Sequence, residues 1–494
     1  MRILFFKILI PTVMLATLYE PFVGLLFFMG TTFVRLEALT WGLMDTRTAL
    51  ITAIVTLMSW LVHRRSPRQR AERYPVQFWL FLMVVAAMTL TTLTAEASVE
   101  QSWLSVQKFY KYLIFQILMI NLINNRVRFR LVQEVFFWGV SFLVVWGIDQ
   151  YFRGNIRLEN IGGGDFADSS ALCALFLLMF PMVVYRVLHT NRWVRLSGLL
   201  FAPAYAVAIV FTQSRSGFLG ALVMVFLLFL RTKRRLRTIF YAIPIVVVLS
   251  FFMPDSFWDR METIYYNDEM AEAGIKRERS ADQRLKIWKV GEAVFWDHPL
   301  LGVGRWNFGL IHQRYAAPIW YGKIDDVLYA DLFLRYRVCH NMYLDMLVSG
   351  GLITFLPWFL LILSVFRSTS RGRMALGDVG MDRYWKAQTY AIEIGIAGYL
   401  TTAFFQDLGE VEAFYWMIVL SGILSTILRS SSRADASARD DAPARAGENA
   451  PPLRAYASLR SFTSMAEPAV VSRGDYHAPA QSLSYPFRPR YRGH

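Results

Sequence analysis

Apolar residues in this chain come in solid runs, not in alternation. Phe78 to Leu93, Leu175 to Val187 and Leu219 to Leu230 are the clearest. A helix of roughly 20 apolar residues crosses about 30 Å of hydrocarbon, and only helices or closed barrels satisfy their own backbone there. The lack of a period of two makes these runs helices. They fall near 3–34, 45–62, 76–94, 106–124, 131–152, 169–188, 195–212, 216–231, 238–254, 342–366, 385–405 and 412–429, about twelve spans. The first is too long for one simple helix and carries Pro11 and Pro21. Proline bends a helix and frees a carbonyl, so a kinked span, a re-entrant hairpin and two spans all remain open.

The polar interruptions set the orientation. Segments 63–73, 125–130, 186–195, 231–237 and 367–386 are basic, whereas 94–107 and 406–412 are neutral or acidic. Short cytoplasmic loops retain Lys and Arg, so the basic set marks the cytoplasmic side. Both termini then lie in the cytoplasm if the first stretch crosses once. Arg215 and the long polar stretch from Pro254 to His340 lie outside.

Composition agrees with the pattern. The chain has 494 residues, 55% of them hydrophobic and 15% aromatic, and a mean hydropathy of +0.35. That is more apolar surface than a soluble core hides. The net charge of +15 is mostly topological, drawn to the anionic inner leaflet, and makes no case for a nucleic-acid partner. The N-terminal stretch lacks a small-residue cleavage site and is expected to act as an uncleaved insertion signal. Two cysteines, Cys173 within a span and Cys339, are too few for a disulfide framework.

The expected fold is an all-α, polytopic transmembrane helix bundle with one large, mainly helical periplasmic loop. The divisions are 1–253 (N-terminal transmembrane helices), 254–341 (periplasmic loop), 342–429 (C-terminal transmembrane helices) and 430–494. The last is rich in Ser, Ala, Arg, Asp and Pro; it buries too little apolar area to offset its ordering entropy and is expected to be a disordered cytoplasmic tail.

Within the loop, Ser280 is placed to cap a helix carrying Leu285, Trp288, Ala293 and Phe295 at near-helical spacing. That helix should end at Asp297-His298-Pro299, since proline disfavours helix in the residue before it. Leu300 to Phe308 then reads as a glycine-hinged turn. Gly302, Gly304, Gly350 and Gly351 serve turns and close packing, and His298 is structural. A loop this long is usually functional. Charged groups at a membrane edge default to a functional reading, so Arg215 in Thr212-Gln213-Ser214-Arg215-Ser216-Gly217 and His340 in His340-Asn341 point to chemistry on an anionic, lipid-borne substrate.

Taken in order, the segments SRSG (214–217), SADQRLKIW (280–288), HPLLGVGRWNF (298–308) and HNMYLDMLVSGGL (340–352) resemble the O-antigen ligase and polysaccharide polymerase superfamily of inner-membrane glycosyltransferases. Arg35 to Gly42 and Asp165 to Leu172 resemble the branch of O-glycosylation ligases associated with exosortase gene sets. That branch usually has Asp-Asn-Asn where this chain has Asp168-Ser169-Ser170. The resemblance covers most of 1–429.

What it implies is transfer of a glycan from an undecaprenyl-pyrophosphate carrier to a hydroxyl, on a lipid core sugar or a protein, at the periplasmic face of the bacterial inner membrane. A repeat-unit polymerase using the same donor is the alternative. A lipid-linked sugar transporter is a third reading, against which stand the lack of matched halves and the charges lying at one face.

The residues support such chemistry in their own terms. A departing pyrophosphate gains charge, and guanidinium meets phosphate oxygens in a two-pronged fork. Arg215 and Arg284 are the candidate clamp, with Arg305 and Arg314 as further contacts. His340, neutral near pH 7, is the candidate general base. Asp165 and Asp168 are placed to bind acceptor hydroxyls or to orient a cation. No acidic metal-binding pair is evident, so metal-independent, inverting transfer without a cofactor is expected. The plain readings stand beside these: a snorkelling Arg215, Arg284 on a solvated helix face, His340 or Asn341 as a helix cap, and Arg305 and Arg314 on solvated surface.

Overall fold

A computed structural model describes residues 2–34, 48–64, 74–231, 279–377 and 380–440. The chain divides into one unit of residues 1–434 and a second of 435–494. Every regular element among the described residues is helical. We number them α1 (Arg2–Tyr19), α2 (Pro21–Val34), α3 (Thr48–His63), α4 (Val76–Leu93), α5 (Val99–Leu122), α6 (Arg126–Phe152), α7 (Ser169–Tyr185), α8 (Arg192–Phe211), α9 (Arg215–Arg231), α10 (Arg279–Asp297), α11 (Phe308–Trp320), α12 (Asp326–Phe333), α13 (Met342–Met374), α14 (Gly380–Ala403) and α15 (Glu412–Asp440). The span expected near 238–254, the 35–42 motif, loop residues 254–278 and the tail beyond 440 lie outside the described residues.

Among the described residues, six helices are long and apolar enough to cross a membrane: α4, α6, α7 with its 3-10 extension to Leu188, α8, α13 and α15 up to Ser432. α1 to α3 are shorter apolar helices. The protein is thus a polytopic membrane helix bundle.

The first stretch is two helices. The chain breaks at Glu20 and folds over, so that a Cβ on Gly24 would stand 2.4 Å from the Thr17 side chain. Residues seven apart in one straight helix are roughly 10 Å distant along the axis, which excludes a continuous α1–α2 rod. At its far end α15 runs to Asp440, past the change of composition at Ser430.

α7 sits deepest. Leu172 through Leu178 are wholly buried, because α14, α8, α9 and α6 surround it. Small residues permit this. A Cβ on Gly395 would stand 2.3 Å from the Leu178 carbonyl, and one on Gly220 2.6 Å from the Gly398 carbonyl. Close backbone approach is how helices gain contact in lipid, where apolar burial alone gives no preference for a neighbour.

Helix ends sort into two groups. At one end, Glu96 N–H donates to the Val303 carbonyl, Ser105 to Glu410 and Ser214 to Ser170. At the other, Arg128 pairs with Glu20 at 3.2 Å, Arg126 with Asp382 at 3.5 Å, and Arg186 grips Glu134 with two bonds of 3.0 and 2.9 Å.

The loop helices form a layer over the first end, with Ile287, Val290, Val294, Val303, Phe308, Ile311 and Val348 in a shared core. α10 ends at Asp297, as the following His298-Pro299 requires. The turn after it is stitched to α13: Val303 and Gly304 N–H donate to the Val348 and Ser349 carbonyls, and Leu352 and Ile353 N–H donate to the Pro299 and Leu300 carbonyls. These bonds occupy groups freed by a break in α13 at Gly351, whose φ is +56°. A side chain there would meet the Leu300 carbonyl at 2.2 Å.

Candidate functional site

His340 lies on the turn that enters α13, in left-handed backbone at φ +50°. An L-residue holds that conformation only when its surroundings impose it. Asp407, in the short segment between α14 and α15, does so: its carboxylate accepts the His340 N–H at 2.8 Å and the Asn341 N–H at 3.1 Å. The next residue closes the turn. Asn341 Oδ1 accepts from Tyr343 and Leu344 N–H and so caps α13.

α10 delivers Arg284. Trp288, one turn further along, donates its indole N–H to the Cys339 carbonyl at 2.9 Å and packs edge-on to Phe404, with ring centroids 5.6 Å apart. Residues four apart share a helix face, so Arg284 is carried on the side that meets His340. Its charge is felt there. Burial, then Arg284 and Arg337, push the His340 imidazole down to about 4, against Asp168 and a hydrogen bond with Gln406. Arg284 is itself lowered by burial, partly offset by Asp168 and Asp407.

Asp168 caps α7, its Oδ1 accepting from Ser170 N–H at 2.8 Å and Ala171 N–H at 3.2 Å, and it remains exposed. Behind it, Ser214 Oγ donates to Ser170 Oγ at 2.9 Å and accepts from Gly217 N–H at 3.1 Å. The hydroxyl of Ser170 therefore ties the Ser214-Arg215-Ser216-Gly217 turn to the α7 N-terminus. Gly217 permits the approach, since a Cβ there would stand 2.3 Å from Cys173 Sγ. Arg215, half-buried, opens α9 immediately after a second left-handed residue, Gln213 at φ +48°. His340, Arg284, Asp168 and the Arg215 turn thus share one end of the bundle.

Arg305 stands apart from them. It is 3% exposed; it donates to Asp345 Oδ2 at 2.5 Å, to Glu410 Oε1 at 2.8 Å and to Ser105 Oγ at 3.4 Å. Lys108 adds a 2.7 Å contact to the other Glu410 oxygen. The solvated-surface reading of Arg305 is wrong, because two carboxylates from distant segments draw it inside. Those same carboxylates hold its guanidinium well above the usual range despite burial. Arg314 is exposed and paired with Glu96 at 2.7 Å. His298 bonds Glu96 and Tyr315 at 3.0 and 3.1 Å, a structural arrangement. Cys339 is buried and its thiol pushed up, so it is inert.

Residues 198–359 match the O-antigen ligase family. The chain carries an O-antigen ligase domain. Arg215, Arg284, Arg305 and His340 fall within it. Asp168 falls in a second match, residues 1–190, to a family of unknown function. Asp407, Gln406 and Glu410 lie beyond both. No curated protein matches the chain. The match supports glycosyl transfer of the ligase or polymerase type on lipid-linked glycans, in a multi-pass membrane protein.

Sequence reading missed Asp407, Gln406 and Arg337. The available signal was three acids, Asp407, Glu410 and Glu412, in a segment of a few residues between two apolar helices. Acids at that density beside lipid need partners, and the partners here are Arg305, Lys108 and the His340 turn.

Proposed function

We propose that the chain is an inverting, metal-independent glycan ligase, moving a glycan from an undecaprenyl-pyrophosphate carrier to a hydroxyl of a lipid core sugar or a protein at the periplasmic face of the inner membrane. The convergence of a neutral imidazole and guanidinium groups from three separate segments at one end of the bundle supports this reading.

In the reaction, His340 accepts the proton of the acceptor hydroxyl as that oxygen attacks the anomeric carbon. The bond from carbon to pyrophosphate oxygen breaks, and the carrier pyrophosphate leaves with the electron pair. A single displacement inverts the centre. Arg284 and Arg215 meet the charge that grows on the leaving group, each contact supplying about 2–4 kcal/mol to the transition state, and general-base help contributes roughly 10²–10⁴-fold. A low imidazole pKa keeps His340 free of a proton beside these cations. Asp168, exposed beside Arg284 and His340, orients the guanidinium and accepts from the incoming hydroxyl.

The test is transfer by reconstituted protein with purified donor and acceptor, following product and released carrier pyrophosphate. His340→Ala and Arg215→Ala abolish both while expression persists, and EDTA has no effect. Near-normal transfer by His340→Ala removes it as base. Inhibition by EDTA that a divalent ion reverses refutes metal independence. Knockout products separate ligase from polymerase, since loss of a polymerase leaves single repeat units and loss of a ligase leaves full-length carrier-linked chains.

A further inference from the structure

A fixed backbone is not enough to make His340 a base. A neutral imidazole carries one N–H and one bare nitrogen, and the bond that the N–H makes decides which nitrogen is left to take a proton. Asp407 does not make that bond, because its two oxygens face the His340 and Asn341 backbone N–H groups. The partner of the ring is the residue before it, Gln406.

Gln406 is held from both sides. Phe404 and Phe405 close α14 in a turn, with N–H bonds to the Thr401 and Thr402 carbonyls, and their rings lie 5.6 and 6.1 Å from that of Trp288. The same indole donates to the Cys339 carbonyl. On the other side, Asp407 grips residues 340 and 341, and the Tyr399 hydroxyl donates to the Leu408 carbonyl at 2.7 Å. Gly409 lets the segment lie against α13, since a Cβ there would stand 2.7 Å from the Met346 methyl. The neighbours of Gln406 are therefore pinned, directly or through Trp288, to the neighbours of His340. That register is what brings the amide to the imidazole.

An amide at this place does what an acid would not. The cations facing His340 are Arg284 and Arg337, and the acids are Asp168 and Asp407. A carboxylate on the ring N–H would favour the imidazolium and hold a proton on the base. An amide carbonyl has no charge, so it orients the ring and leaves the second nitrogen bare. Its contact works against the two arginines and raises the imidazole, the sign of an oxygen accepting the ring N–H; an amide N–H given to the bare nitrogen would oppose protonation.

We propose that Gln406 is the positioning residue of His340: its side-chain carbonyl accepts the ring N–H, selects one tautomer and aims the other nitrogen at the acceptor hydroxyl. The role rests on the reading of His340 as the base. Residue 406 lies beyond both family matches.

The ring is read first, then the reaction. Full-length protein with nitrogen-15-labelled histidine is placed in lipid bilayers for solid-state NMR, the His340 signals being those missing from His340→Ala. Gln406→Leu keeps the bulk and removes the acceptor; Gln406→Glu returns an acceptor with charge. The wild type is expected to show one tautomer near neutral pH, Gln406→Leu an average of two, and Gln406→Glu one again. In the transfer assay, Gln406→Leu is expected to lower kcat by about 10–100-fold, the usual cost of removing the group that orients a functional histidine, with KM for the donor unchanged. The acid limb of kcat/KM moves below that of the wild type in Gln406→Leu and above it in Gln406→Glu.

A single tautomer that persists in Gln406→Leu, or a mixture already present in the wild type, overturns the proposal whatever the activity. A fall in kcat with tautomer and acid limb unmoved makes Gln406 structural only and overturns it as well. A mixed tautomer in Gln406→Leu with unchanged transfer keeps Gln406 as the partner of the ring and removes His340 as the base instead.

Discussion

The carboxylate of Asp407 holds the backbone N–H of His340 at 2.8 Å and that of Asn341 at 3.1 Å, so one side chain from the α14–α15 segment fixes the turn that presents the imidazole. An amide in its place has one acceptor oxygen instead of two. Asp407→Asn is expected to lower transfer at least about tenfold, the loss of one charge-assisted bond, while the yield of folded protein holds. Unchanged kcat with altered melting would make Asp407 structural only.

The charges around His340 give a pH prediction with a definite sign. Its pKa is lowered to about 4, so the base stays neutral through the weakly acidic range. The acid limb of kcat/KM, which reports free enzyme, is expected near pH 4 and not near 6.5. Burial and the Asp345 charge push Asp407 the other way, to about 7, so a second feature lies higher and is lost in Asp407→Asn. A lower limb at 6.5 in the wild type would show that neither burial nor the arginines depress the imidazole.

Arg284→Gln separates two roles of one side chain. Removing a cation that depresses His340 moves the acid limb upward, toward the ordinary value. Loss of a phosphate contact raises KM for the donor or lowers kcat by about 10²-fold or more. A rise in KM with an unmoved pH limb would leave Arg284 as a binding group only.

Arg305 is expected to report on stability before activity. Arg305→Met strands Asp345 as a buried carboxylate without its cation and leaves Glu410 to Lys108 alone, at a cost of about 3–5 kcal/mol. Burial pushes Glu410 up, but Arg305 and Lys108 more than offset this and hold it at about 2. Its folded pKa lies below the unfolded value, so the stabilisation is present above pH 4.5 and is lost as pH falls from there toward 2. Melting curves of wild type and variant in detergent check both points. A variant that melts as the wild type does and binds donor poorly would return Arg305 to the substrate site.

Gly351 gives a backbone prediction. At φ +56° and ψ −167°, a conformation open essentially to glycine alone, Gly351→Ala incurs about 1–3 kcal/mol of backbone strain and a contact with the Leu300 carbonyl that cannot persist. The expected result is a lower melting temperature together with loss of transfer.

Local rules carried much of this protein. Run length gave apolar helices, six of which among the described residues are long enough to cross a membrane where about twelve spans were expected, proline gave the end of α10 at Asp297, and paired glycines gave the stitched turn at 299–304. Ordered motifs marked Arg215, Arg284, Asp168 and His340. Pairings across the chain were not legible: Arg305 with Asp345 and Glu410, or Asp407 with the His340 turn, join residues tens of positions apart with no periodicity to reveal them. The fold of residues 1–34 was open because two prolines offered a break: Pro11 is absorbed within α1, and the break falls at Glu20, just before Pro21, where Glu20 pairs with Arg128 on α6.

The stitched turn has a consequence for how the chain tolerates change. Residues 299–304 read the broken helix by register, N–H against carbonyl on 348–353. Adding or deleting one residue between Pro299 and Gly304 would shift that pairing and swing the start of α13, with His340 just ahead of it, out of line. Length in this short stretch is therefore fixed by geometry, and spacing variants across 299–304 should fail as a class.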